Sequence, residues 1–122
     1  MMQGMMMHRP LLISDILEFA ASAYSEQEII SRRVEGDIHR ATYAQTRGRV
    51  SQLSHALVEL GVGPSDRVAT LAWNGYRHFE LYYGVSGMGA VCHTINPRLR
   101  AEQIEYIISH AEDTILFIEF TF

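Results

Sequence analysis

The chain has 122 residues, 48% of them hydrophobic and 20% charged, with a formal net charge of −4. That is the composition of one globular domain, large enough to bury roughly two-thirds of its unfolded surface, and it lacks the clustered Lys and Arg of a nucleic-acid footprint. The single cysteine, Cys92, excludes a disulfide framework within the chain and suits a reducing compartment, so a cytoplasmic location is expected.

The first ten residues, MMQGMMMHRP, lack the apolar run and cleavage site of a signal peptide. A flexible Met-rich stretch over residues 1–10 is expected there, with the ordered domain over 11–122. No segment approaches the roughly 20 apolar residues of a membrane span. Ser14 reads as a helix N-cap, with Asp15 and Glu18 in the first turn. Ile16, Leu17, Phe19, Ala20 and Ala23 then form an apolar stripe to about Tyr24. Glu28 to Val34 and Ile38 to Thr42 flank Glu35-Gly36-Asp37, which predicts a half-exposed β-hairpin. Arg32, Arg33 and Arg40 lie on it among acidic residues and read as a solvated surface.

Thr42 can cap the next helix, and Val50, Leu53, Leu57 and Leu60 line one face of it. Gly61 suits a left-handed cap, and Gly63-Pro64 prevents resumption. Val68 to Trp73 is apolar except for Thr70, the mark of a central parallel strand covered on both faces. Asn74-Gly75 turns the chain. Phe79 to Val85 predicts a well-buried helix with Glu80 as its polar exception. Val91 to Ile95 is a second strand, stopped by Asn96-Pro97. Ile104, Ile107, Ile108 and Ala111 predict an amphipathic helix, and Thr114 to Phe120 a third strand. The expected fold is therefore α/β: helix, β-hairpin and helix, followed by a three-layer parallel-sheet βαβαβ core.

Ligands of open α/β sheets sit beyond the carboxyl ends of the strands. Asn74, Asn96 and Arg98 are placed on that edge and are the candidate substrate or anion-binding residues. Arg98 suits a carboxylate or phosphate. The structural alternative has Asn74 capping a helix, Pro97 ending a strand and Arg98 salt-bridged to a neighbouring element. Gly84, Gly87 and Gly89 do not match a dinucleotide fingerprint, since they end a helix rather than open one; close packing and a helix stop explain them. The histidines show no zinc-helix spacing. His78 and His93 are expected to approach one region as hydrogen-bonding residues, and Glu112-Asp113 to form a solvated turn. Cys92 reads as a packed thiol. No complete catalytic constellation is found, so no catalytic, cofactor-binding or metal-binding residue is assigned.

The run LAWNGYRHFELYYGVSGMGAVCHTINPRL, with the later EQIEYIISHAED, resembles the N-terminal part of AMP-forming acyl-CoA ligases of the adenylate-forming superfamily. The resemblance is closest to the medium- and long-chain fatty acyl-CoA ligase branch, including 3-methylmercaptopropionyl-CoA ligases, and runs from Pro10 to Phe122. It departs at Cys92, where relatives carry an aliphatic residue, and at Arg100, where a capping side chain would be about 1 kcal/mol better. The resemblance implies the incomplete N-terminal part of the family's large domain. It also implies a two-step reaction using ATP, Mg2+ and CoA, in which a carboxylate attacks the α-phosphate and CoA then displaces AMP. The family's phosphate loop, nucleotide contacts and catalytic lysine lie downstream of the matched region. A segment inactive alone is therefore expected, partnered by the remainder of a ligase, a full-length paralogue or further copies of itself. A stand-alone α/β ligand-binding module and an interacting remnant are the alternatives.

Overall fold

The computed structural model describes residues 4–5 and 7–121. The expected flexible stretch over residues 1–10 therefore falls partly outside the described residues, as does Phe122 at the end of the expected ordered domain.

Helix α1 spans Ile13–Ala23, with Leu12 as its N-cap and no side-chain cap. The expected Ser14 cap is not formed. Ser14 lies inside the first turn, and the Leu12 carbonyl accepts the Asp15 N–H at 3.1 Å instead. Strands β1, Glu28–Arg32, and β2, Ile38–Thr42, pair antiparallel from Glu28↔Thr42 to Arg32↔Ile38. Gly36 takes a positive φ in their turn, which glycine adopts without steric cost. Two of the three basic residues are matched locally. Arg33 pairs with Asp37, and Arg40 reaches Glu28 at 2.8 Å.

Helix α2 spans Tyr43–Glu59 and starts on the predicted Thr42 cap. The Thr42 hydroxyl accepts the Gln45 N–H at 3.2 Å, and the Gln45 side chain accepts the Thr42 N–H at 2.9 Å. Two otherwise orphaned donors are thereby satisfied. Val50 and Leu57 are buried on its inner face and Leu53 is partly so. Leu60 is not part of that face: it is 66% exposed, because it caps the helix just before Gly61 reverses the chain at a φ of 89°. Val62 enters the core in its place, its N–H bonded to the Leu57 carbonyl at 3.0 Å.

The core alternates strand and helix: β3 Arg67–Leu71, α3 Tyr76–Gly87, β4 Val91–Thr94, α4 Ala101–Ala111 and β5 Ile115–Ile118. The three strands are parallel in the order β4-β3-β5. β4 and β5 flank β3, and helices cover both of its faces, as its apolar run requires. On one face Val68 packs with Leu57, Val62, Leu81 and Val85, drawn from α2, the loop after it and α3. On the other, Ala69 and Leu71 pack with Ile95, Ile104, Ile107 and Ile108, so α4 forms the third layer. Glu80, the polar residue of α3, is buried by an ion pair with Arg49 of α2 at 2.5 Å. Gly84 lets these helices close up, since a Cβ there would lie 3.0 Å from Leu53 Cδ2. Ser54 adds a hydrogen bond to the Gly84 carbonyl at 2.9 Å. Outside this core, Ile13, Ile16 and Phe19 of α1 stay exposed.

Candidate functional site

Because β3 and β4 are parallel neighbours, the turns that follow them open on the same end of the sheet. The expected placement of Asn74, Asn96 and Arg98 on that carboxyl edge is met. The details differ from expectation. Asn74 does not cap α3. Gly75 does so with an extended backbone and no side-chain cap, its carbonyl accepting the Phe79 N–H at 2.9 Å. The exposed Asn74 instead lines a groove of about 310 Å³ with Ile29 and Ser31 of the hairpin and His78 and Tyr82 of α3. Asn96 Oδ1 accepts the Arg98 N–H at 3.0 Å, a local turn that fixes the backbone after β4. The Arg98 salt bridge of the alternative reading is not formed among the described residues, and the guanidinium faces solvent.

The turn after β3 is held by His78, a hydrogen-bonding residue as expected, and by Glu119, which the sequence pattern does not single out. His78 is 6% exposed, with Nε2 at 2.9 Å from Thr70 Oγ1 and Nδ1 at 3.3 Å from the Trp73 carbonyl. A carbonyl only accepts, so Nδ1 carries the proton and the Thr70 hydroxyl donates to Nε2. Burial also pushes the His78 pKa below its ordinary value of 6.5, favouring this neutral ring. Across the sheet end, the Glu119 carboxylate accepts the Trp73 N–H at 2.9 Å, while the Glu119 N–H donates to the Leu71 carbonyl at 3.1 Å. Between them lies a mostly apolar pocket of about 120 Å³, lined by Ala72, Arg77, His78, Leu81 and Phe117 among others. Arg77 is oriented there by Glu35 of the hairpin at 2.7 Å and lies 5.0 Å from the Tyr76 ring centroid. The Thr70 signal was present in the sequence as the one polar residue of an apolar strand; the Glu119 contact depends on tertiary placement.

His78 and His93 do not share a region. His93 pairs in register with Ala69, on the α4 face, whereas His78 meets Thr70 on the α3 face. The solvated turn expected at Glu112-Asp113 holds only for Glu112, whose side chain is 81% exposed. The Asp113 side chain is only 1% exposed, and both its oxygens lie 2.9 Å from His93 Nδ1. The ring places its donor where the carboxylate would otherwise be unpaired. Cys92 packs against the core, where burial raises its pKa and keeps the thiol protonated. Among the described residues, no cluster of three or more His, Cys, Asp or Glu side chains is arranged to hold a metal ion.

Three comparisons bear on this arrangement. The family model described as AMP-binding enzyme matches residues 17–121. The chain is 50% identical over 121 residues to 3-methylmercaptopropionyl-CoA ligase of Ruegeria pomeroyi, covering 99% of this chain and 22% of that protein. It is 46% identical over 121 residues to medium-chain-fatty-acid–CoA ligase of Ectopseudomonas oleovorans, again covering 99% and 22%. In three dimensions it is similar to the Mycobacterium tuberculosis fatty acyl CoA synthetase, with a TM-score of 0.79, 28% identity and coverage of 88% of this chain and 21% of that one. The chain thus spans about a fifth of the length of these relatives.

Proposed function

The chain belongs to the AMP-binding enzyme family, and from that premise we propose that residues 11–122 form the N-terminal part of the large domain of a cytoplasmic acyl-CoA ligase. The reaction class is ATP-dependent and AMP-forming. A fatty or other aliphatic carboxylic acid attacks the α-phosphate of Mg·ATP, releasing pyrophosphate, and CoA thiolate then displaces AMP from the acyl-adenylate. The observation that carries this reading is the alignment of 99% of the chain, at 50% identity, with one ligase.

In this reading the segment builds the frame of the site and does not perform the chemistry alone. The covered parallel strand β3 and its flanking helices hold the turns after Leu71 and Thr94 at one sheet edge. Asn74, Asn96 and Arg98 are its contribution to that edge, with the exposed guanidinium suited to an anionic substrate group. Complementation tests the proposal. The chain is mixed with a ligase relative lacking the corresponding N-terminal fifth, and carboxylate-dependent acyl-CoA formation is followed. Restored turnover, with neither piece active alone, is expected. Equal activity of the shortened relative with and without the chain would sink the framing role.

The pocket bordered by Arg77 and Phe117 favours a second reading, a stand-alone ligand-binding module. Equilibrium dialysis of the chain against ATP, AMP and a short acyl-CoA separates the two. Stoichiometric binding by the chain alone supports the module, and its absence supports the frame.

A further inference from the structure

At the amino end of the sheet, two consecutive carboxylates leave the α4–β5 turn in different directions. Glu112 reaches Arg67 of the central strand at 2.9 Å. Asp113 passes on to His93 of β4, with 2.9 Å to Nδ1 from both oxygens. In the hydrogen-bonded ladder, β4 and β5 each pair only with β3. The Asp113–His93 bridge therefore ties β4 to the turn that leads into β5, independent of the ladder. His93 is opposite Ala69 of β3 in register, whereas Asp113 lies three residues before Leu116, the β5 partner of Ala69, so the bridge crosses β3 on a diagonal. Glu112 has a φ of 53°, a left-handed conformation uncommon for a residue with a Cβ, and that bend separates the two carboxylates.

We propose that the α4–β5 turn is a two-carboxylate clamp that sets the position of β4, and through it the Asn96-Pro97-Arg98 turn three residues beyond His93. His93 and Asp113 are positioning residues in this account. The clamp rests on the geometry of this chain and holds whether or not the ligase reading is correct. Asp113 supplies the rigidity, because a buried carboxylate that loses its donor cannot recover the interaction from water. Glu112–Arg67 is the outer, solvated arm, its two side chains 81% and 41% exposed, and is the weaker tie.

Amide hydrogen exchange on the full chain tests the clamp. The reporters are Val91 and Ile95, whose N–H groups join β4 to the Asp66 and Thr70 carbonyls at 2.8 and 2.9 Å, and Thr114, which joins the β5 side to the Arg67 carbonyl at 2.8 Å. Leu81 and Val85 in α3 are the controls. His93→Phe keeps a ring and removes the donor. It is expected to speed exchange at Val91, Ile95 and Thr114 together, by at least about tenfold relative to the α3 controls. His93→Asn carries an amide N–H near the Nδ1 position and should recover most of the protection. Asp113→Asn, read in case His93→Phe does not fold, should loosen the same three amides by about threefold or more. Adding His93→Phe to Asp113→Asn should add little beyond the larger single effect. A uniform change across sheet and α3, loosening of β4 without Thr114, or independent effects of the two substitutions would each overturn the proposal.

Discussion

The two ends of the parallel sheet are built on opposite principles. At the amino end, polar side chains find partners within the fold: Arg67 reaches Glu112 through its Nη2 while its buried Nε has no hydrogen-bond partner among the described residues, His93 pairs with Asp113, and the Asp66 carboxylate accepts the Gly63 backbone N–H at 2.7 Å. At the carboxyl end, matched polar groups lie just beneath the surface, in Thr70, His78 and Glu119, while Asn74 and Arg98 project into solvent. The same strands carry both ends, so the difference does not come from the sheet. It comes from the connections. The α4–β5 turn folds its carboxylates back onto the strands, whereas the turn after β4 satisfies its backbone through Asn96, the turn after β3 draws on Glu119 for the Trp73 N–H, and both leave Asn74 and Arg98 exposed. One end ties its side chains back onto the strands, and the other leaves Asn74 and Arg98 exposed.

Substitutions can break or sharpen that contrast. The largest effect is expected in the core that serves both ends. Leu57→Ala removes a fully buried side chain between α2 and the sheet, and should lower the unfolding free energy in urea by about 3 kcal/mol. Next comes the matched end. Asp113→Ala removes the buried acceptor of His93 and should cost about 2 kcal/mol in the same assay. A loss no larger than that of an ordinary surface substitution would erase the distinction between the ends.

A smaller, pH-dependent effect is expected at His78. Burial lowers its pKa from 6.5 in the folded chain, so the unfolded chain takes up the proton first. The stability linked to His78 is complete above about pH 6.5, and is lost as pH falls from there through the lower folded value. The slope is at most about 1.4 kcal/mol per pH unit. Urea midpoints between pH 8 and 5 should show this component in the native chain and lack it in His78→Gln. The smallest effect belongs to the open end. Asn74→Ala and Arg98→Ala should each change stability by less than about 0.5 kcal/mol, because neither side chain has a protein partner among the described residues. A cost above 1 kcal/mol for either would show that it is structural after all.

Much of this fold is legible in the sequence because its signals are local. The apolar run through Val68 and Leu71 announces a strand covered on both faces, and Thr42 followed by Gln45 announces a helix start. Positive-φ glycines mark the stops at Gly61 and Gly89. The misreadings share a different cause. Leu60 fits the helical stripe by spacing, but the helix ends before the pattern does and Val62 takes the core position. Asn74 resembles a cap by residue type, but the backbone uses Gly75. Asp113 looks solvated beside Glu112, and is buried because α4 ends facing a histidine 20 residues earlier in the chain. No periodicity reports such a meeting. The candidate edge was legible as topology, since parallel strands place their following turns together, and His78 was legible as a hydrogen-bonding residue, while its partners and the reach of Glu119 across the sheet end were not.

We propose that this chain supplies a frame for acyl-CoA ligase chemistry without performing it. The direct measurement is pyrophosphate release by the purified chain, supplied with Mg·ATP and a series of aliphatic carboxylic acids, with CoA present and absent. No release above the enzyme-free blank is predicted for any acid. Carboxylate-dependent release that scales with the concentration of the chain would contradict the claim.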